Sequence, residues 1–292
     1  MQRRDFITLS SLGLLGFCAC GTSNIMSNRK SFAIQLYTIR DAISDNLEKA
    51  LERLAGLGFN QIEIYGYDGK FFGKSRTEFQ NILKNVGLKV VSSHHTTGII
   101  HKDKGTLLND WEKTVEDLDF IGSKYMVCSY LFEEERTLEN YKKLPDLLNK
   151  SGEVTRKAGI DFAYHNHDFE FGKLDENNTI YDFILDSTSF DLVKMELDLY
   201  WISKAGFDPL MYFEKYPGRF PLWHVKDMKA ETKDFAEIGN GTIDFKRIFA
   251  AKEKAGLKYW FLEQDSSNID MFESIKISKK YIEKNAFFQN NP

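Results

Sequence analysis

The sequence predicts an α/β protein, a single-domain (β/α)8 barrel of the TIM-barrel type that follows an N-terminal export signal. Eight short runs rich in β-branched and aromatic residues recur along the chain, separated by amphipathic segments with helical spacing. Strands that alternate with helices favour a parallel sheet, and eight such units in roughly 260 residues match the usual size of a closed barrel. No linker rich in Pro, Gly or Ser divides the chain, so we expect one barrel domain over residues 31–285.

The predicted strands begin just after residue 31 and continue almost to the end of the chain. They are Phe32–Tyr37, Gln61–Tyr65, Lys89–Ser93, Tyr125–Ser129, Asp161–His165, Val193–Leu199, Pro221–Val225 and Tyr259–Glu263. Between them, apolar residues at i, i+3, i+4 and i+7 predict helices, as at Leu47, Leu51 and Leu54. We expect Asp244 to cap the start of one helix and Gly256 to follow its end.

Residues 1–26 have the composition of an export signal. A pair of arginines precedes an apolar run from Ile7 to Phe17, and small residues follow it. The arginine pair resembles a twin-arginine signal, and Ala19-Cys20-Gly21 resembles a lipoprotein cleavage site. The run has about half of the ~20 residues that a membrane-spanning helix needs. We expect an exported protein that is either periplasmic or anchored to the membrane by a lipid on Cys20, and the sequence leaves these two alternatives open.

The composition excludes several classes of protein. Hydrophobic residues make up 42% of the 292-residue chain, which is enough for a sizeable core. The net charge is −4 and no Lys/Arg block is present, so we expect no nucleic-acid partner. Two of the three cysteines fall in the leader, which excludes a disulfide framework and leaves Cys128 as a buried, inert thiol.

Ionisable residues gather near the carboxyl ends of the predicted strands, where the active sites of barrel enzymes lie. A barrel interior is mostly apolar, and ionisable residues are seldom buried there unless they are paired or serve a function. Side chains two residues apart on a strand share a face. Each of four pairs is therefore expected to share a face: His165 with His167, Glu196 with Asp198, His224 with Lys226, and Glu263 with Asp265. Carboxylates from two strands and imidazoles from two others can then converge on the barrel axis, and Glu63, His94 and His95 lie at the ends of strands two and three.

Imidazoles and carboxylates from different strands predict a metal site. Our candidate ligands are His165, Asp198, His224 and Glu263. Mixed ligation of this kind with an open position suits one divalent ion of the Mn, Zn, Co or Fe class. For His165, the alternative that it contacts only the substrate and not the metal is equally open. Three roles remain open for Glu196: a metal ligand, a catalytic base, or a partner that orients a histidine.

Tyr37, Tyr65, Tyr200 and Trp201 near the strand ends are candidates for a wall on which a sugar would stack, although most aromatic residues pack in a core. The predicted substrate-binding residues are Gln35, Tyr37, Glu63, His94, His95 and Trp201.

Several segments together resemble the sugar phosphate isomerase/epimerase superfamily, also called xylose isomerase-like barrels. They are Tyr164-His165-Asn166-His167, Leu197-Asp198, His224-Val225-Lys226-Asp227, Gly239-Asn240-Gly241-Thr242-Ile243-Asp244 and Leu262-Glu263. The resemblance implies a single metal held by a carboxylate on strand five, an aspartate on strand six, a histidine on strand seven and a glutamate on strand eight. Asp198, His224 and Glu263 match the last three. Strand five departs from the pattern, because His165-Asn166-His167 stands where many members have Glu-Asn-His.

The resemblance implies proton abstraction next to the carbonyl of a sugar or keto-sugar, through an enediolate. Glu263 is the first candidate for the base, with His165, His167 or Glu196 as the opposing acid and Lys226 as the group that neutralises the enediolate. Reprotonation gives an epimerase or isomerase, whereas loss of a β-substituent gives a lyase. The missing strand-five glutamate and the export signal favour elimination from an oxidised sugar such as a 3-keto-glycoside.

Two other classes of protein compete with this hypothesis. A metal-dependent nuclease of the apurinic-site type would need a basic groove and more metal ligands. A non-catalytic periplasmic sugar-binding barrel would bind sugar whether or not a chelator is present. The sequence leaves open the sugar, the metal, the carbon that is deprotonated and the number of subunits.

Overall fold

Eight parallel strands close into a barrel in the computed structural model, which describes residues 31–288. In chain order the strands are β1 Ala33–Gln35, β2 Gln61–Ile64, β3 Lys89–Thr96, β4 Tyr125–Tyr130, β5 Asp161–His165, β6 Lys194–Asp198, β7 Leu222–Val225, β8 Asp227–Met228, β9 Phe235–Ala236 and β10 Tyr259–Leu262. Strands β1 to β7 follow one another around the barrel, and β10 closes it by pairing with both β7 and β1. The two-residue strands β8 and β9 form a separate antiparallel pair. The predicted fold class is confirmed.

Helices follow most of the strands, as the alternating pattern predicts. They are α1 Arg40–Gly56, α2 Arg76–Val86, α3 Trp111–Phe120, α4 Leu138–Lys157, α5 Ile180–Ser187, α6 Leu199–Lys204, α7 Pro209–Lys215, α8 Phe245–Ala250, α9 Lys252–Ala255 and α10 Met271–Lys284. Within residues 31–288, no helix combines the length and the apolar character that crossing a membrane requires.

Local sequence signals account for the helix ends. The Ser75 side chain and Glu78 form a reciprocal capping box at the start of α2. Asp244 accepts a hydrogen bond from the Arg247 backbone N–H, which confirms the predicted cap of α8. Gly256 has φ +81° directly after α9, a left-handed conformation that favours glycine.

The barrel interior changes from apolar to polar along the strands. Ala163, Leu222 and Phe261 belong to an inner apolar cluster. Two residues further on, the same inward face carries His165, His224 and Glu263. The period-2 alternation of a strand therefore places a layer of ionisable groups directly above the apolar layer, at the carboxyl end of the barrel.

Four strands end earlier than predicted, and strands two and eight each stop one residue short, at Ile64 and Leu262. We expected strand one to reach Tyr37, but the chain enters a 3-10 helix at Leu36, and the Gln35 side chain accepts a hydrogen bond from the Tyr37 N–H. We expected strand six to reach Leu199, but Asp198 accepts from the N–H groups of Tyr200 and Trp201 and so starts α6 at once.

Strand β3 is longer than predicted and separates its two histidines. The register between β2 and β3 shifts between Ile62, opposite Val90, and Glu63, opposite Ser92. One extra residue in β3 reverses the alternation beyond that point. His94 consequently meets the carboxylates of the barrel interior, whereas His95 lies against the ring of Trp111.

Cys128 is fully buried and free, as predicted, and burial raises the pKa of its thiol. The export signal predicted for residues 1–26, with Cys20, lies outside the described residues.

Candidate metal centre and active site

Four buried side chains converge at the carboxyl end of the barrel. His165 ends β5, Asp198 ends β6, His224 lies in β7, and Glu263 directly follows β10. One ligand atom from each lies within 4.8 Å of the others. The structure thus brings together the four residues that the sequence predicts as metal ligands, and we call this group the ligand cluster.

Buried polar atoms in the ligand cluster fit a bound cation. His224 Nδ1 and Glu263 Oε2 are 2.6 Å apart and neither forms a well-aligned hydrogen bond in the described structure, while Lys226 Nζ lies 2.7 Å from Glu263 Oε2. Buried polar atoms without well-aligned partners are costly, and a bound cation would offset that cost. Two imidazole nitrogens and two carboxylates suit Zn²⁺, Mn²⁺, Co²⁺ or Fe²⁺. The residues present therefore fit a divalent ion.

A second cluster of side chains surrounds the other nitrogen of His224. His224 Nε2 lies 2.6 Å from Glu63 Oε2 and 3.4 Å from Glu196 Oε1. His94 Nε2 lies 2.7 Å from Glu196 Oε2 and 3.1 Å from Glu63 Oε2. A carboxylate behind a histidine fixes the ring orientation and increases its basicity toward a metal. We call Glu63, His94 and Glu196 the support cluster, because they hold His224 with Nδ1 facing the ligand cluster.

Both histidines of this network hold protons more tightly than free imidazole. Burial disfavours the charged form of His94, but Glu63 and Glu196 outweigh it and raise its pKa to about 9. Burial likewise opposes protonation of His224, whose pKa is nevertheless raised well above the ordinary value by Glu196, Glu263 and Glu63. A metal must displace the His224 proton to bind, so metal binding should release protons.

Three predicted contact residues lie below the cavity instead of on its wall. We expected Gln35 and Glu63 to bind substrate and counted Glu196 among the catalytic groups. All three are 0% exposed. The physical reason is their mutual bonding, because Glu63 Oε2 accepts from Gln35 Nε2 at 2.7 Å while Glu196 is drawn to His94. These side chains support His224 and do not reach a substrate.

Replacing Glu63 by Gln is expected to weaken metal affinity about 10- to 100-fold, the usual effect of losing a carboxylate behind a metal-binding histidine. The amide keeps the volume of the side chain, so the fold should persist. Equilibrium dialysis with Zn²⁺ and Mn²⁺ measures the affinity, and Glu273→Gln on the exposed face of α10 is the control. Unchanged affinity in Glu63→Gln would show that the support cluster does not act on the metal.

A cavity of about 1190 Å³ opens above the ligand cluster. Its wall includes seven predicted site residues that reach it directly: Tyr37, His94, His165, His167, Trp201, Lys226 and Glu263. His95 also borders the cavity but is only 3% exposed, and its Nδ1 bonds to the Gly105 carbonyl at 2.8 Å. Burial lowers the pKa of His95 to about 4, so this ring is a neutral packing group.

Lys226 places a positive charge beside the ligand cluster. Its Nζ lies 3.0 Å from Asp198 Oδ2, 2.7 Å from Glu263 Oε2 and 3.3 Å from Asp265 Oδ2. Burial opposes the charged form, but Asp198, Asp265 and Glu263 outweigh it and raise the pKa of Lys226 well above its ordinary value. Lys226 is therefore an ammonium group that borders the cavity.

His167 presents an unpaired nitrogen next to this charge. Its Nδ1 is buried without a hydrogen-bond partner in the described structure, and the ring stacks on Phe169 with centroids 5.5 Å apart. Burial, and then the neighbouring His165 and Lys226, hold the pKa of His167 well below the ordinary value. A neutral imidazole at the cavity wall can accept a proton. The catalytic role of His167 stays a prediction.

Glu170 holds the end of β5 in place and is not evident from the sequence. The Tyr164 hydroxyl donates to Glu170 Oε1 at 2.6 Å, and the His167 N–H donates to Glu170 Oε2 at 2.8 Å. Glu170 is fully buried, and this burial raises its pKa to about 7. The residue lies in a 3-10 helix after a loop, where no strand or helix period predicts its orientation.

Glu170→Gln should alter how stability depends on pH. The folded pKa of about 7 is above the unfolded value of about 4.3, so the stability associated with protonated Glu170 is present below about pH 4.3 and lost as pH rises through 7. As pH rises from about 4.3 to about 7, wild type loses this stability and the variant does not. The free energy of unfolding of Glu170→Gln should therefore rise, relative to that of wild type, by on the order of 3 kcal/mol over this range. Urea denaturation across this pH range measures the difference. Parallel curves for the two proteins would contradict the assignment.

Four other residues that border the cavity were not predicted, because they lie in loops or at a strand end: Tyr130, Phe169, Arg136 and His101. His101 is exposed, but its ring packs against Phe132 with centroids 4.3 Å apart. Only Tyr130 gave a usable signal, since it directly follows the predicted fourth strand.

Known proteins resemble this chain over most of its length. The inosose dehydratase of Bacillus cereus is 24% identical over 276 residues, which cover 83% of this chain and 90% of that protein. A crystal structure described as a sugar phosphate isomerase/epimerase from Parabacteroides distasonis superposes with a TM-score of 0.77 at 27% identity, covering 90% of this chain and 97% of that one. The IolI protein with a bound zinc atom gives a TM-score of 0.69 at 16% identity, covering 88% and 99%.

The family model described as xylose isomerase-like TIM barrel matches residues 51–283, which include every member of the ligand and support clusters. The chain belongs to this family of xylose isomerase-like TIM barrels.

Proposed function

We propose that the protein is a metal-dependent enzyme that removes a proton next to the carbonyl of a keto-sugar and expels the substituent on the following carbon. The observation that carries this proposal is the ligand cluster at the base of an open cavity, flanked by the unpaired Nδ1 of His167 and the ammonium of Lys226. The dehydratase name of the Bacillus cereus relative and the zinc in IolI support the same chemistry.

A divalent ion held by His165, Asp198, His224 and Glu263 would polarise the carbonyl and so make the neighbouring C–H more acidic. His167 Nδ1 is placed to accept that proton, and Glu263 is the second candidate because it also borders the cavity. Lys226 stabilises the negative charge that develops on the enediolate oxygen.

The bond changes for a 3-keto-glycoside balance without a further reactant. The base takes the proton from C2, the electron pair forms the C1–C2 double bond, and the C1–O bond breaks. The electrons of that bond leave with the aglycone oxygen, which takes up the proton held by the base. The products are a 2-hydroxy-3-keto-glycal and the free aglycone.

The arrangement of carboxylates favours elimination over epimerisation. Epimerisation between two opposed glutamates needs one on each side of the substrate. Here strand β5 carries His165, and Glu196 lies below the cavity. The carboxylates that border the cavity next to Lys226 are Glu263 and Asp265, which both follow β10. Among residues 31–288, Glu263 is thus the only glutamate that borders the cavity, and the group on the β5 side is the imidazole of His167, so the two-glutamate arrangement is not formed.

The test uses metal-loaded protein with p-nitrophenyl 3-keto-β-glucoside and a panel of ketoses in heavy water. We expect release of nitrophenol with loss of the C2 proton, abolished by a chelator and strongly reduced in His167→Gln. Deuterium uptake without release of the aglycone would identify an epimerase or isomerase instead. Sugar binding without exchange or release would favour the non-catalytic binding barrel.

We also propose that the protein is exported, on the strength of the paired arginines and the apolar run that follows them. Fractionation of cells should recover the protein outside the cytoplasm, and replacing both arginines by lysine should retain it inside. Labelling with a fatty-acid analogue should depend on Cys20 if the anchor is present. Cytoplasmic recovery of the unaltered chain would contradict export.

A further inference from the structure

An aromatic section of the cavity wall extends from the ligand cluster to an arginine. The ring of His165 is 4.8 Å from that of His167, which in turn stacks on Phe169 at 5.5 Å. The guanidinium carbon of Arg136 lies 3.7 Å from the centre of the Phe169 ring. Tyr130 packs edge-on against both His167 and Phe169. Arg136 is thus three contacts away from the ligand cluster, along one continuous wall.

The guanidinium of Arg136 is held in place by neutral groups. Its Nε donates to the Leu131 carbonyl at 3.0 Å, and its Nη2 donates to the Tyr130 hydroxyl at 2.7 Å. With the Phe169 ring against one face, the planar group has a defined orientation. A guanidinium has five N–H donors, so these two bonds leave three for another partner.

The charge of Arg136 has no carboxylate partner within salt-bridge distance among residues 31–288. Nearby acids have other partners: Glu170 bonds Tyr164 and His167, Glu135 bonds Thr97, and Asp168 faces Lys204 at 3.8 Å. Three other arginines do pair with acids: Arg53 with Asp270, Arg76 with Glu116 and Asp117, and Arg247 with Asp208. An oriented but unpaired guanidinium at a cavity wall is a site for an anion.

The size of the cavity leaves room for such a group. Drug-sized ligands occupy pockets of roughly 300–1,000 Å³, and this cavity of about 1190 Å³ is larger. A single sugar ring at the ligand cluster would leave the section next to Tyr130, Phe132 and Arg136 unfilled. A substrate of two units, one reacting and one bound by this section, fits the volume better.

We propose that Arg136 binds an anionic substituent (a carboxylate, sulfate or phosphate) on the part of the substrate that leaves, while Tyr130, Phe132 and Phe169 pack against that part. This inference rests on the proposed function for the identity of the reacting sugar. It makes Arg136 a specificity-determining residue that selects acidic glycosides over neutral ones.

Binding of unreactive glycosides separates this inference from the reaction. Calorimetry with metal-loaded protein would compare phenyl β-glucoside with three analogues whose phenyl ring carries a carboxylate, a sulfate or a phosphate. We expect at least one anionic analogue to bind about 10- to 100-fold more tightly than the neutral glycoside. Arg136→Gln should abolish that preference without weakening the neutral ligand. Arg136→Lys should keep part of it, and Arg156→Gln on exposed α4 is the matched control.

The identity of the preferred analogue distinguishes the three anions, and any such preference lost in Arg136→Gln supports the proposal. Equal binding of charged and neutral ligands to wild type would overturn it, as would an equal loss for both in Arg136→Gln. Failure of the proposed reaction gives a different result, because the binding preference would persist with no release of aglycone.

Discussion

Replacing Glu263 by Gln is expected to lower turnover about 1,000-fold and to weaken metal binding at the same time. Glu263 Oε2 lies 2.6 Å from His224 Nδ1 in the ligand cluster, and its side chain also borders the cavity. An amide cannot supply the negative charge that a divalent ion needs, nor can it accept a proton as a base. Loss of a general base alone costs about 100- to 10,000-fold in rate. Steady-state turnover and metal content, measured on the same preparation, test both effects.

The control for Glu263→Gln is Glu273→Gln, an exposed carboxylate on α10 that pairs with Lys276. It makes the same chemical change away from the cavity. If Glu263→Gln kept near wild-type turnover at saturating metal, neither of its assigned roles would stand. Loss of turnover with unchanged metal affinity would retain the base and remove Glu263 from the ligand cluster.

Replacing Lys226 by Met is expected to destabilise the metal-free protein by about 3–5 kcal/mol, because removing one partner of a buried ion pair leaves the other charges uncompensated. Asp198, Glu263 and Asp265 would then face one another without the ammonium between them. Bound metal should restore part of the loss, since the cation compensates the same carboxylates. Chemical denaturation with and without Zn²⁺ measures both quantities.

Lys226→Met should also reduce turnover about 100-fold with the metal bound, as expected for loss of a charge that stabilises the transition state. Lys204→Met is a suitable control, because Lys204 forms a longer ion pair, 3.8 Å from Asp168, in which both side chains are partly exposed. A Lys226→Met protein as stable as wild type in the absence of metal would show that the three carboxylates do not depend on the ammonium.

The sequence predicted the barrel because strand and helix periods repeat along the whole described chain. The strand prediction for β5, Asp161–His165, matches the structure residue for residue. The ligand cluster was also predictable, since parallel strands end at one edge and alternation fixes which side chains point inward. That rule placed His165, Asp198, His224 and Glu263 among a larger set of candidates, and the structure brings one ligand atom of each within 4.8 Å of the others.

What the sequence could not predict depends on tertiary contacts. The extra residue in β3 decides that His94 and not His95 faces the carboxylates, and no local pattern marks it. Glu63 and Glu196 lie on inward positions, as expected, but only the packed barrel shows that they bond to histidines below the cavity. Arg136 and Glu170 lie in connections between strands and helices, where no regular alternation along the chain fixes the direction in which a side chain points.

The number of metal ions bound per chain tests the central claim most directly. The protein would be dialysed against Co²⁺, Zn²⁺ or Mn²⁺, and the bound metal counted by mass spectrometry for wild type and for variants of the ligand cluster. We expect one tightly bound ion per chain in wild type, and much weaker binding in Asp198→Asn and Glu263→Gln, whereas Glu273→Gln should behave as wild type. No bound ion in wild type, or the same binding in all variants, would contradict a metal centre formed by His165, Asp198, His224 and Glu263.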